Sequence, residues 1–185
     1  MINFPTLITL SRIVVIPFLM LFLYFDFWVG DYIAAILFSF ACISDYLDGY
    51  FARFLNQISP IGTFLDPIAD KLLICSTIFI LVAINRIEGY SLIPASVILI
   101  REIFVSGLRE YLATIKLEVK VSRLAKWKTA SQMGALISII LSSTNFLGID
   151  FEETGTALLW ISAVLTSFTA YRYWQASFNH IMGIK

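Results

Sequence analysis

Charge is what this sequence has least of. Lys, Arg, Asp and Glu together make up 14% of its 185 residues, while apolar residues make up 59%. A soluble domain is about a quarter charged and nearer half apolar, so a water-soluble globular fold is excluded. Histidine occurs once, as His180 near the C-terminus, and reads as a surface residue. Cysteine occurs twice, as Cys42 and Cys75, both in apolar helical stretches. They read as small buried hydrophobes rather than a disulfide or a metal site. The polar region of the chain offers no Cys, His or Ser nucleophile–base pair, so no covalent enzyme intermediate is expected. Internal repeats and low-complexity segments are lacking too. The first apolar stretch holds Pro5, Arg12 and Pro17, with no basic leader and no small-residue cleavage site, so it does not read as a cleaved signal. Nucleic acid is not an expected partner.

What is present is a series of long apolar runs. They predict helices near 5–25, 32–54, 61–84, 92–113, 129–147 and 154–175, separated by turn-like or polar breaks such as NQISP (56–60) and NRIEGYS (85–91). Each run suits a span of roughly 20 residues. The expectation is therefore an all-α integral membrane protein of six transmembrane helices, with residues 1–185 forming one membrane domain. The opening INFPTLITLSR mixes Pro5 and polar residues with apolar ones, and a short N-terminal interfacial helix is expected there. Orientation follows the basic residues. With both termini on one side, that side holds Arg12, Arg53, Arg109, Lys116, Lys120, Arg123, Lys126, Lys128, Arg172 and Lys185. The other side holds Arg86 among Asp26, Asp31, Glu88, Asp150, Glu152 and Glu153. Both termini are thus expected in the cytoplasm of a multi-pass plasma-membrane protein.

Four carboxylates sit where such a helix affords few. Asp45 and Asp48 fall in the cytoplasmic half of the second predicted helix, and Asp66 and Asp70 in the first turns of the third. A short loop makes the two helices antiparallel neighbours, so all four acids share a depth. At about 100° per residue, Asp45, Asp48, Gly49 and Ala52 share one face, and Gly62, Asp66 and Asp70 share another. Four converging anions cannot all stay ionised in a low dielectric without compensation. Oxygen-only ligation suits two hard divalent cations, Mg²⁺ or Mn²⁺, a pair suited to clamping both sides of a phosphoryl displacement. The small residues leave room for a ligand against the backbone, and Arg53 can face a diphosphate. Taken singly, the small residues also fit close helix packing, and a single acid also fits pairing with neighbouring Lys71. Packing alone does not call for the whole set. Pro67 frees the carbonyl of Thr63 and either kinks the helix to aim Asp66 or is an ordinary membrane-helix proline.

The pattern Asp45-x-x-Asp48-Gly49-x-x-Ala52-Arg53, then eight residues, then Gly62-x-x-x-Asp66-x-x-x-Asp70 resembles the signature of the CDP-alcohol phosphotransferases at every fixed position. The resemblance implies six transmembrane helices around a polar cavity open to the cytoplasm, and a homodimer. It implies transfer of a phosphatidyl group from a CDP-linked donor to an alcohol, releasing CMP. It also implies metal ligation by Asp45, Asp48, Asp66 and Asp70, with Asp70 doubling as general base. Asp45, Asp48, Gly49, Ala52, Arg53, Gly62 and Thr63 would then line the CDP site.

Three further segments, 4–18, 101–113 and 121–133, are similar to those of bacterial members that use CDP-diacylglycerol as donor and sn-glycerol 3-phosphate as acceptor. The charges point to an anionic acceptor independently. Arg101 lies well inside the fourth predicted helix, where a cation is expensive and usually functional. Arg109 follows two turns on, and Lys126 and Lys128 open the fifth helix. With Ser106 as a minor contact, they form a candidate phosphate pocket, although Arg101 and Glu102 also fit a local ion pair. Lys116, Lys120 and Arg123 fit a solvated basic loop against anionic lipid. Other readings are a sister enzyme acting on inositol phosphate, serine or phosphatidylglycerol, or a divalent-cation transporter. The transporter gives no reason for Gly49, Ala52, Arg53 and Gly62.

Overall fold

The computed structural model describes residues 4–25, 27–54, 60–115, 123–144 and 150–182; within these, the side chains of residues 4–5, 45–54, 60, 63, 123, 125, 176 and 179–181 are not described. All regular structure among the described residues is helical. The order is α1 (Phe4–Tyr24), α2 (Trp28–Phe54), α3 (Pro60–Ala83), a 3₁₀ turn (Gly89–Ser91), α4 (Leu92–Thr114), α5 (Arg123–Ile140) and α6 (Phe151–Ile181).

The first four helices match their expected spans to within four residues at each end, because prolines, glycines and charges punctuate those runs. From Phe4 on, the stretch expected at the interface is part of one continuous helix, α1. Pro5 stands in its first turn, where the missing N–H has no intrahelical partner to lose. The last two helices depart further. α5 begins six residues before the expected 129 and ends at Ile140, since RLAKWK, read as loop from its charge, consists largely of good helix formers. α6 runs from Phe151 to Ile181 rather than 154–175, its polar final turns still burying Ser177.

The helices form two groups of three. α1 packs along both α2 and α3, and α6 packs along both α4 and α5; α2, α3, α4 and α5 make the sparser contacts between groups. On α1 the stripe Thr6, Thr9, Arg12, Ile16, Leu19 and Leu23 is buried, spaced three or four apart. It meets Ala34, Phe38 and Ala41 of α2 and Leu73, Ile78 and Leu81 of α3 in a core continued by Ala135, Leu136, Ile139, Leu159 and Ala163. Close approach of α5 and α6 depends on Gly155, where an added Cβ would lie 2.7 Å from Ile139 Cγ1.

Outward faces carry large apolar residues: Ile36, Phe40 and Ile43 on α2, Ile100 and Ile103 on α4, and Ile161, Val164 and Phe168 on α6. In water such faces would be a liability; against lipid they are not. Among the described residues, Thr6–Tyr24 and Gly89–Thr114 are long and apolar enough to cross a membrane, and Trp28–Ser44 is a shorter apolar stretch. Cys42 and Cys75 are free thiols, each partly buried.

A buried ion pair ties one end of the bundle. Arg86, in the turn after α3, donates to Asp31 in the first turn of α2 at 2.9 Å and to the carbonyl of Ile140 at 2.7 Å. Ser143 also hydrogen-bonds Asp31. Asp31 is 1% exposed. Removing one partner of a buried pair leaves the other charge uncompensated and costs about 3–5 kcal/mol. Asp31→Leu is therefore expected to lower the thermal unfolding midpoint of the detergent-solubilised protein clearly, whereas Asp150→Ala, at an exposed cap, should lower it little.

Candidate active site

About 21 Å along α2 from Asp31, at 1.5 Å per residue, the chain reaches Asp45. Asp45, Asp48 and Ala52 continue the helical register of Ala34, Phe38 and Ala41, the face α2 turns inward. The side chains of Asp45, Asp48, Gly49, Ala52 and Arg53 lie outside the described residues, as does that of Thr63 on α3.

The α3 half of the site is described. Gly62, Ala69, Leu73 and Thr77 make a buried stripe, with Asp66 half-buried in the same register and Asp70 one turn on. Helix α1 supplies partners for both acids. Thr9 donates its hydroxyl hydrogen to Asp66 Oδ1, and Arg12 forms an ion pair with Asp70 Oδ1. The Arg12 side chain is 0% exposed and that of Asp70 is 47% exposed, so a buried guanidinium backs a carboxylate that water partly reaches. The expected direct pairing of α2 and α3 is sparse among the described residues, because α1 packs against both.

Among the described residues no three His, Cys, Asp or Glu side chains converge. Asp66 and Asp70 nonetheless fit a hard divalent cation: two carboxylates a turn apart, partly accessible, with no nitrogen or sulfur donor between them. Asp45 and Asp48 would complete that oxygen set.

The second cluster lies in the α4–α5–α6 group. Glu102 Oε1 accepts from Lys128 and, at 3.1 Å, from Arg101 Nη1. Arg101 Nη2 donates to Thr169 Oγ1 of α6 at 3.1 Å, and Arg101 Nε is buried without a hydrogen-bond partner. One α4 turn beyond Glu102, Ser106 accepts from Lys71, the residue after Asp70. The two clusters are thereby linked across α3 and α4. Arg109 stacks over the Tyr173 ring at 5.6 Å. Of the expected basic pocket, Arg101, Lys128 and Ser106 are thus drawn to one region, Arg109 of α4 turns to Tyr173 of α6, and Lys126 is exposed. Lys126 stands about 200° around α5 from buried Lys128.

The sequence reading did not single out Thr9, Arg12, Thr169 or Tyr173 as site residues. The first two had a signal: Thr6, Thr9 and Arg12 recur every third residue in an apolar helix, and a cation there is expensive unless paired. Thr169 and Tyr173 had none beyond their i, i+4 spacing.

Comparison with known proteins identifies the family. The family model for CDP-alcohol phosphatidyltransferases matches residues 2–168. Similar proteins include the CDP-diacylglycerol–glycerol-3-phosphate 3-phosphatidyltransferase of Rickettsia typhi, 46% identical over 175 residues, or 94% of this chain and 96% of the relative. Those of Rickettsia felis and Yersinia enterocolitica are 44% and 36% identical, over 94% and 97% of both chains respectively. A cation-transport reading gives way to this match, and the chain belongs to the CDP-alcohol phosphatidyltransferase family.

Proposed function

We propose that this chain transfers the phosphatidyl group of CDP-diacylglycerol to sn-glycerol 3-phosphate, giving phosphatidylglycerol phosphate and CMP. The observation that carries the proposal is similarity over almost the whole chain to relatives named for that reaction. The position of Asp70 supports it: partly exposed, and one residue from Lys71, which reaches the α4 cluster. We place six spans in a bacterial plasma membrane, with termini and site cytoplasmic, as a homodimer.

Asp70 acts as the base. Its carboxylate takes the proton of the acceptor's C1 hydroxyl. The oxygen so freed attacks the phosphorus bonded to diacylglycerol, the bond from that phosphorus to the bridging oxygen breaks, and CMP leaves with the electron pair. Arg12 holds Asp70 from behind, fixing its orientation. Asp45, Asp48, Asp66 and Asp70 would hold two divalent cations, Mg²⁺ or Mn²⁺, which supply charge neutralisation on the diphosphate. Gly49, Ala52, Arg53, Gly62 and Thr63 line the CDP group, leaving its acyl tails in lipid. Arg101, Lys128, Ser106 and Arg109 bind the acceptor phosphate; Lys126, on the opposite side of α5 from Lys128, takes no part in that pocket.

Release of CMP by the purified protein, given CDP-diacylglycerol and Mg²⁺ or Mn²⁺, is expected to depend on glycerol 3-phosphate. Inositol phosphate, serine and phosphatidylglycerol should not replace it; equal or better turnover with any of these would refute the assigned acceptor.

A further inference from the structure

We propose that Glu102 is a positioning residue. It holds Arg101 and Lys128 side by side as a preformed cradle for the acceptor's phosphate, with Thr169 fixing the far edge of the guanidinium. The proposal rests on the acceptor reading above and assigns roles to two residues outside it.

The argument begins with charge. Arg101, Glu102 and Lys128 have side-chain exposures of 12%, 17% and 9%. Two cations and one carboxylate leave a net single positive charge in a poorly solvated place. Unpaired buried charge is costly, and an internal staple between α4 and α5 would need only one cation for one carboxylate. The surplus is what an anion site requires.

Donor inventory leads the same way. A guanidinium has five N–H donors and an ammonium three. Glu102 takes one Arg101 edge, Thr169 takes the other terminal nitrogen, and Nε is left buried without a partner. Thr169 is itself held, donating to the Thr166 carbonyl at 2.8 Å. The guanidinium plane is therefore locked while the Nε donor stays unused. Lys128 Nζ is held on the same Glu102 oxygen. Free Lys and Arg side chains are rich in rotamers and lose that freedom when they bind a ligand; here the carboxylate sets that order in place before the ligand arrives.

Location completes the case. Ser106, one turn (about 6 Å) along α4 from Glu102, is hydrogen-bonded to Lys71 beside Asp70. A phosphate seated on Arg101 and Lys128 leaves the rest of a small acceptor toward the α3 carboxylate that removes its proton.

Glu102→Gln, Glu102→Asp and Thr169→Val in the full chain, purified in detergent, test this. Glu102→Gln is expected to raise KM for glycerol 3-phosphate about tenfold, with kcat and KM for CDP-diacylglycerol within about threefold of wild type. Glu102→Asp should recover most of that loss, and Thr169→Val should raise the same KM about threefold. Direct binding of glycerol 3-phosphate by calorimetry should follow KM. A KM for glycerol 3-phosphate that is unchanged or lower in Glu102→Gln, or both KM values rising together, overturns the proposal and leaves a structural ion cluster. If Glu102→Gln does not fold, Glu102→Asp and Thr169→Val decide by the same comparison. Wild-type CMP release that ignores glycerol 3-phosphate would instead overturn the acceptor reading.

Discussion

Asp70→Asn is expected to lower CMP release by a factor on the order of 10³, the middle of the range that a positioned general base contributes. The substitution keeps the shape of the side chain and an oxygen that can accept from Arg12, so the α1–α3 contact survives. What it removes is the negative charge and the ability to take a proton. Asp66→Asn removes a charge of the same set but leaves the base, and its loss should be partly recovered by raising the divalent cation concentration; that of Asp70→Asn should not. Circular dichroism and elution volume in detergent would show whether each variant retains its fold. Turnover within tenfold of wild type for folded Asp70→Asn would remove Asp70 from the role of base.

Asp66 and Asp70 were legible because their information is local. An i, i+4 pair of acids within an apolar run is unusual, and helical geometry alone puts both on one face. The bounds of α1 to α4 were legible for a similar reason: Pro60, Gly89 and the charged turns mark them. RLAKWK at the start of α5 was not, because a charged stretch reads as loop until a neighbouring helix buries one of its cations, here Lys128 against Glu102. The contacts of α1 with the acids were illegible for a different reason. Thr9 and Asp66 are 57 positions apart, and Arg12 and Asp70 are 58. No periodicity couples such positions; only the packing of α1 between α2 and α3 brings them together. Glu102 was ambiguous, since a neighbouring Arg101 explains it locally, and its bond to Lys128 across 26 positions shows that it serves two cations.

Replacing Arg12 by Leu is expected to damage stability and turnover together. Its side chain is wholly buried, and its partner is half-exposed. A pair buried on both sides loses about 3–5 kcal/mol when one member is removed, while an exposed pair loses about 0–1; one buried member places the loss near 2 kcal/mol. Water reaches Asp70 and compensates part of its lost countercharge, but the orientation that Arg12 imposes is gone. A general base displaced by about 1 Å costs on the order of 10² in rate. Arg12→Lys separates the two effects. It keeps a cation in the helix but loses the planar fork that fixes the carboxylate, so most stability should return while kcat stays about tenfold low. The double variant Arg12→Leu with Asp70→Asn gives the sharpest comparison. If the two side chains act through each other, its loss of stability should fall short of the summed single losses by about 1 kcal/mol or more. Simple additivity would show that Arg12 supports α1 by packing and leaves Asp70 to be positioned by other groups.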